Sequence, residues 1–419
     1  MEARPASFSV VTYNLFIGTA LSVFPPKTPL LGGASCTRLA PQLAAVAALK
    51  ADVLGLQEVH KDSLVDSYRD AFAATHALVH GVFHNALGLG ILVAWRVVIS
   101  CCSLAALGCL ALAGDPPLSA SPTYWVLAAL ATLCSSFFLV HKGVVAYHFL
   151  TGRVHGGLAL LLRRSTFAVR ASYVRNFTHQ NGDILNLLRP RAFQVVLAEV
   201  LGSSSSSSSS PCLVLFFHTH ANLGHGEEGE RCRASQLKEI IGAGSPAEVQ
   251  RLLDAAGLHG VPPHSLVQVL LGDLNAEYSS ASLQASLALG GFLDPCTDSS
   301  SSSSSPPPPS WDNGRNPLTN GVLLDEDSRV DLVLYRNPEA GSAALTLSPL
   351  TSGSTSLVLN QPPFLSDHFG VRVHFACHYS APPRAHSPKG RSVSLQSLSI
   401  AENANPDSYL LELGSRAEK

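Results

Sequence analysis

Two long apolar runs, residues 87–113 and 124–150, constrain this chain more than any other feature. The first carries one charge, Arg96, and the second only His141, Lys142 and His148. Each is long enough to cross a bilayer, which takes about 20 mostly apolar residues. Residues 114–122 (GDPPLSASP) form a turn-rich loop between them without Lys or Arg, whereas Arg96, Lys142, Arg153, Arg163 and Arg164 flank the outer ends. The positive-inside tendency then places the loop away from the cytosol and both outer ends towards it. The competing reading is a pair of helices buried in a large soluble core. A two-helix transmembrane hairpin returns the chain to the side it left, so it can interrupt a domain without dividing it between compartments. On this reading the protein is integral to a membrane, with its remaining residues facing the cytosol.

Composition agrees with embedded material. Charged residues make up 14% of the chain, against about a quarter in ordinary soluble domains, and the mean hydropathy is +0.21. A net charge of −2 lacks the basic surplus of a general nucleic-acid binder, so no nucleic-acid partner is expected. None of the nine cysteines forms a Cys-x-x-Cys pair, and Cys101, Cys102, Cys109 and Cys134 lie in the apolar runs. Reduced thiols fit that usage better than a disulfide framework. No secretory signal is expected, because the first apolar run starts at Phe8, is short, and is broken by Asn14.

Outside the apolar pair, strand-like and helix-like segments alternate. Residues 8–16 form a β-branched and aromatic strand with Asn14 near its end, followed by an Ala/Leu-rich helix capped by Thr37 with Pro41 in its first turn. Residues 52–58 are an apolar strand ending in Glu58, and residues 61–75 a second helix. Strands are expected at 156–162, 167–174 and 192–201. Residues 212–221 run into His218 and His220, which alternation places on one side, with Thr219 on the other. Helical segments occupy 234–258, and an apolar strand, 265–271, ends at Gly272, Asp273 and Asn275. Extended geometry sends Asp273 and Asn275 to one side. Asp331 interrupts the apolar strand 329–335, and its burial needs a partner. Asp367 and His368 precede a closing strand. The serine runs 203–210 and 299–305, the second extended by prolines to 309, are surface loops, and residues 380–419 a disordered tail.

Each polar strand end has a bland reading when taken alone. Asn14 suits a turn cap, Glu58 a solvated carboxylate, His218 and His220 a polar strand end or weak metal pair, and Gly-Asp-Leu-Asn a strand-to-turn cap. Their order is more informative. Tyr13-Asn14, Gln57-Glu58, Thr219-His220, Gly272-Asp273-Leu274-Asn275, Arg329-Val330-Asp331 and Ser366-Asp367-His368 occur in series. That series resembles the DNase I-like endonuclease/exonuclease/phosphatase superfamily. Within it the chain looks most like the neutral, Mg²⁺-dependent sphingomyelinases. Three features favour this branch: the helix with Gln236 and Glu239 after His220, the Trp311-Asp-Asn-Gly-Arg-Asn316 segment, and the apolar hairpin. The hairpin departs from the pattern, because here it interrupts the catalytic region instead of lying at one end.

The resemblance implies a four-layered α/β sandwich over residues 8–76 and 153–378, with the hairpin 87–150 inserted. It also implies hydrolysis of sphingomyelin or a related phosphosphingolipid in the membrane, giving ceramide and a phosphorylated headgroup. Glu58 would bind Mg²⁺ or Mn²⁺, and Asn14 would face the metal or a phosphate oxygen. Asp273 would orient or deprotonate the attacking water, and Asn275 would donate to the phosphate. His368 would act as base or phosphate stabiliser with Asp331 fixing its ring. His220 would donate to the phosphate or protonate the leaving oxygen, and Asp367 would support His220 or a metal. A phosphoinositide phosphatase of the same fold and a non-catalytic membrane scaffold are the alternatives. Scattered arginines, among them Arg170, Arg175, Arg189 and Arg191, read as solvated.

Overall fold

The computed structural model describes residues 6–15, 34–59, 62–84, 153–180, 191–201, 211–224, 226–296, 308–319, 327–339, 344–350 and 355–380. Chain contacts separate two units. The first comprises Met1–Gly81, His155–Gly182 and Arg191–Lys419, and holds every residue of the cleft described below. Of the second, only the strand ends at 82–84 and 153–154 are described. The expected hairpin at 87–150, both serine runs and the tail beyond 380 lie outside the described residues. Among the described residues, no helix is long and apolar enough to cross a membrane.

Two mixed sheets form the frame. The first contains β1 (Ser7–Asn14), β2 (Val53–Gln57), β3 (His76–His84), β4 (Arg153–Arg163), β10 (Leu345–Pro349), β11 (Thr355–Val358) and β12 (Gly370–Tyr379). Its order is β10-β12-β1-β2-β4-β3, with β11 also paired to β12. The second runs β5 (Phe167–Asn176), β6 (Ala192–Val200), β7 (Leu213–His220), β8 (Val267–Asp273) and β9 (Asp331–Arg336), in that spatial order. β1 and β2 are parallel, as are β7 and β8, while β9 and β12 run the other way.

A strand buried on both faces shows a nearly continuous apolar run, and alternation then assigns its residues to two cores. Phe8, Val10, Val53, Val214, Phe216, Val269, Leu271 and Val333 face between the sheets. Their neighbours Val11, Tyr13, Leu54 and Leu56 pack outward beneath α1 (Ala34–Ala48) and α2 (Asp62–Phe72). Leu215, Phe217, Leu270 and Leu332 pack beneath α3 (Gly226–Ala243), α4 (Pro246–Ala255) and α5 (Ala281–Gly290). Helices, sheet, sheet and helices therefore stack in four layers, as the sequence led us to expect.

Several boundaries differ from expectation. α1 begins at Ala34, three residues before Thr37, so Pro41 sits inside the helix. α3 begins at Gly226, with Glu227 and Glu228 in its first turn, where acidic side chains complement the helix dipole. The strand expected at 265–271 is β8, displaced to Val267–Asp273, because Pro263–Ser265 form a 3-10 turn. β3, α5, β10 and β11 were not anticipated.

Candidate active site

Strand direction gathers the polar residues. β1, β2, β7 and β8 end at one edge of the sandwich, where β9 and β12 begin. Cross-strand register pairs His220 with Asp273 and Asp273 with Asp331, and Asn14 with Gln57. Period-two alternation extends the inter-sheet rows to their polar ends: Phe8-Val10-Thr12-Asn14, Val267-Val269-Leu271-Asp273, and Val214-Phe216-His218-His220. The mouth of the inter-sheet layer is thus polar because each row changes character at its last residue.

Gly272 makes one of these ends possible. At φ +149° its Cα approaches the neighbouring strand so closely that a Cβ would lie 2.0 Å from the carbonyl oxygen of Thr219. Two non-glycine residues beside the mouth also take left-handed backbone, Glu58 at φ 64° and Asn275 at φ 48°. Such conformations cost about 1–3 kcal/mol each and concentrate at functional sites. Asn275 thus lies in a turn beyond the strand, so strand alternation does not govern its side chain.

One cleft is lined by Asn14, Glu58, Arg191, His220, Asp273, Asn275, Trp311, Asp367 and His368, together with Leu223 and Val330. Oδ2 of Asp273 is its hub. It accepts from Nδ2 of Asn14 at 2.9 Å, with Nε2 of His220 at 3.4 Å and Nε2 of His368 at 3.8 Å. Its Oδ1 accepts the backbone N–H of Asn275 at 2.9 Å. The Asn275 amide gives one hydrogen to the carbonyl of Ala221 at 2.9 Å. Nδ1 of His368 lies 2.7 Å from Oδ2 of the fully buried Asp331. His218 does not reach the cleft. It is buried between the sheets, against Gln57 at 2.7 Å and Gln194 at 3.4 Å, and burial pushes its ring down to about 3.

Electrostatics separate the carboxyl and imidazole groups. Burial, then the Asp331 carboxylate, pushes Asp273 up to about 6 against the pull of His368 and Asn14. Burial, reinforced by Glu58, pushes Asp367 up to about 7, although His368 opposes this. Burial alone would lower His368, but the charge and hydrogen bond of Asp331, with Asp273 and Asp367, hold it well above the usual imidazole range. That backing favours the imidazolium form of His368. Asp367 interacts with Ser366, Glu58 and His368, and electrostatically with Tyr13 and Arg38.

Braces that carry no strand-end signal hold the mouth. Nε2 of Gln42 and Nη1 of Arg38, on α1, both donate to the carbonyl of Leu365, at 2.6 and 3.2 Å. Nδ2 of Asn316 donates to the Ser366 carbonyl at 2.9 Å, and Oγ of Ser310 accepts from the N–H groups of Val330 and Asp331. The Trp311 ring meets His368 edge-on, with centroids 5.0 Å apart. Gln236 ties Asn222 to the carbonyl of His179, and Glu239 accepts from Thr178 and the His179 N–H, so neither enters the cleft. Arg191, read from sequence as solvated, lines the cleft with Nη1 2.6 Å from Nδ1 of His220. Arg170 pairs instead with Glu199.

The donor set fits a hard divalent cation. Glu58, Asp273 and Asp367 converge on one cleft, and the upward displacement of the two aspartates is the repulsion and desolvation that a cation relieves. Oδ1 of Asp331 is also buried without a hydrogen-bond partner. Asp273, Asp331 and His368 bring one ligand atom each within 4.8 Å of one another. The short His368–Asp331 hydrogen bond suits an oriented imidazolium better than two metal ligands.

The chain matches the Endonuclease/Exonuclease/phosphatase family over residues 32–368. Among solved structures, Sphingomyelinase C from Streptomyces griseocarneus gives a TM-score of 0.50 at 18% identity, covering 89% of this chain and 100% of that one. The endonuclease/exonuclease/phosphatase from Bacteroides vulgatus gives 0.49 at 10% identity, with 89% and 100% covered. D. rerio TDP2 complexed with single strand DNA product gives 0.48 at 13%, with 88% and 99% covered. At these identities the likeness concerns the fold alone. No curated protein matches.

Proposed function

Because the chain belongs to the endonuclease/exonuclease/phosphatase family of hydrolases, whose members generally depend on a divalent metal, we propose that it is a membrane-bound phosphodiesterase. Its substrate is sphingomyelin or a related phosphosphingolipid, cleaved to ceramide and a phosphorylated headgroup. The observation that carries the reading is the convergence of Asn14, Glu58, Asp273, Asp367 and His368 on one cleft, with the His368–Asp331 pair behind it. The lipid class is supported by the apolar runs at 87–150 and the Trp311–Asn316 segment.

Glu58 and Asn14 would hold the cation, Mg²⁺ or Mn²⁺, with Asp367 beside them. Once bound, that ion supplies Lewis-acid stabilisation of charge on the phosphate. Asp273 orients the attacking water and takes its proton. The His368 imidazolium, held by Asp331, neutralises the phosphate, and Asn275 and His220 donate to its oxygens. The new bond joins water oxygen to phosphorus as the phosphorus–ceramide oxygen bond breaks. Asp273 returns its proton to solvent, and the departing alkoxide draws one from it. A domain tethered to the bilayer meets a lipid headgroup at high effective concentration.

Incubating the full-length protein with labelled sphingomyelin, inositol phosphosphingolipid and phosphoinositides, with Mg²⁺ or with chelator, tests this directly. Ceramide and a phosphorylated headgroup, formed only with the cation, are expected. Inorganic phosphate released from phosphoinositides would replace this reading with the phosphatase one.

A further inference from the structure

We propose that Arg191 is a positioning residue that locks His220 into one tautomer, with its proton on Nε2. His220 is thereby a neutral hydrogen-bond donor to the substrate phosphate and not a proton acceptor. The inference deepens the phosphodiesterase reading and rests on it for the identity of the substrate.

A guanidinium has five N–H donors and no acceptor. With Nη1 of Arg191 2.6 Å from Nδ1 of His220, Nδ1 must accept, so it cannot carry a proton. The ring proton is left to Nε2, which points towards the Asp273 carboxylate at 3.4 Å. His220 is 2% exposed, which prevents the ring from turning to find another partner in solvent. A second proton on the ring would set an N–H and a positive charge directly against the guanidinium.

The other imidazole at the mouth has the opposite backing. Nδ1 of His368 faces the Asp331 carboxylate, an acceptor, at 2.7 Å. A base stands behind one ring and an acid behind the other, so two identical side chains are set to different tasks. His220 already carries its Nε2 proton and cannot remove one from water there, which leaves that task to Asp273. Arg191 is itself anchored through its main chain. Its N–H donates to Oε1 of Gln180 at 3.0 Å and its carbonyl accepts from Phe177 at 3.1 Å. Both bonds survive substitution of the side chain.

Two readouts on the full-length protein test the assignment. Nitrogen-15 histidine spectra, with the His220 signals identified by their loss in His220→Gln, should show Nε2 protonated and Nδ1 bare in the wild type. Arg191→Ala should give an averaged pair of tautomers, and Arg191→Gln, which keeps an N–H donor, should restore the wild-type pattern. With bis(p-nitrophenyl) phosphate and Mg²⁺, Arg191→Ala should lower kcat about 10- to 100-fold with a smaller change in KM, in the range seen when a residue that orients a site ligand is lost. Arg191→Gln should recover part of it. A proton on Nδ1 of wild-type His220, or a tautomer pattern unchanged in Arg191→Ala, overturns the proposal. Absence of turnover by the wild type would count against the phosphodiesterase reading instead, and the nitrogen spectra would still decide the tautomer.

Discussion

Glu58 and Asn275 show what the mouth demands of single residues, since both hold left-handed backbone beside the cleft. Glu58→Gln removes one carboxylate charge but keeps the shape. Divalent-dependent turnover should fall at least about 100-fold, the scale of losing one stabilising group, with an unchanged circular-dichroism melt. The pH profile follows from the two displaced groups. Asp273 must be ionised to take a proton, so the rate should fall on the acid side, on a limb below the value of about 6 that the carboxyl has without the cation. His368 must be charged, so the rate should fall only well above the ordinary imidazole value. Asp331→Asn removes the charge that keeps His368 protonated, and the alkaline limb of kcat should move to lower pH. These polar residues were legible in the sequence because each ends or interrupts an apolar run. Arg191 was not, since it stands one residue before β6 and no periodicity marks it. Only the fold of that strand beside β7 brings it to His220.

At the scale of elements, the mouth depends on close strand approach and on braced loops. Gly272→Ala forces a methyl group into the Thr219 carbonyl and should cost about 3 kcal/mol or prevent folding, read as a lower urea midpoint. Asn316→Ala leaves the Ser366 carbonyl without its amide partner and should cost about 1–3 kcal/mol. Because Ser366 carries the Asp367–His368 turn, kcat should fall as well. The buried strands were readable from their unbroken apolar runs. α5 was not, because ASLQASLALG distributes small and apolar residues around the helix without an amphipathic stripe. β10 and β11, five and four residues long, are too short for alternation to distinguish them from loop. Strand order was equally hidden. Nothing local in the sequence says that β12, last in the chain, lies beside β1.

For the whole molecule, the convergence of acids on one cleft carries a cost that a cation should offset. Asp367 has its folded value raised to about 7 from 3.8. Its contribution to stability is therefore fully present below pH 3.8 and is lost as pH rises towards 7. In chelator, Asp367→Asn should gain stability over the wild type as pH rises through that window. Added Mg²⁺ should narrow the gap in urea midpoints. The apolar runs belong to this scale too. Replacing residues 87–150 by a short Gly/Ser linker should depress hydrolysis of sphingomyelin in vesicles far more than hydrolysis of bis(p-nitrophenyl) phosphate. The most direct measurement of the central claim, that these groups act together on one phosphate, is the Mg²⁺-dependent kcat on sphingomyelin vesicles of Glu58→Gln, His368→Gln and the double variant. Groups serving one phosphate should be strongly non-additive, leaving the double variant about as slow as the slower single one. Losses that simply multiply, or a near-normal rate in either single variant, would contradict it.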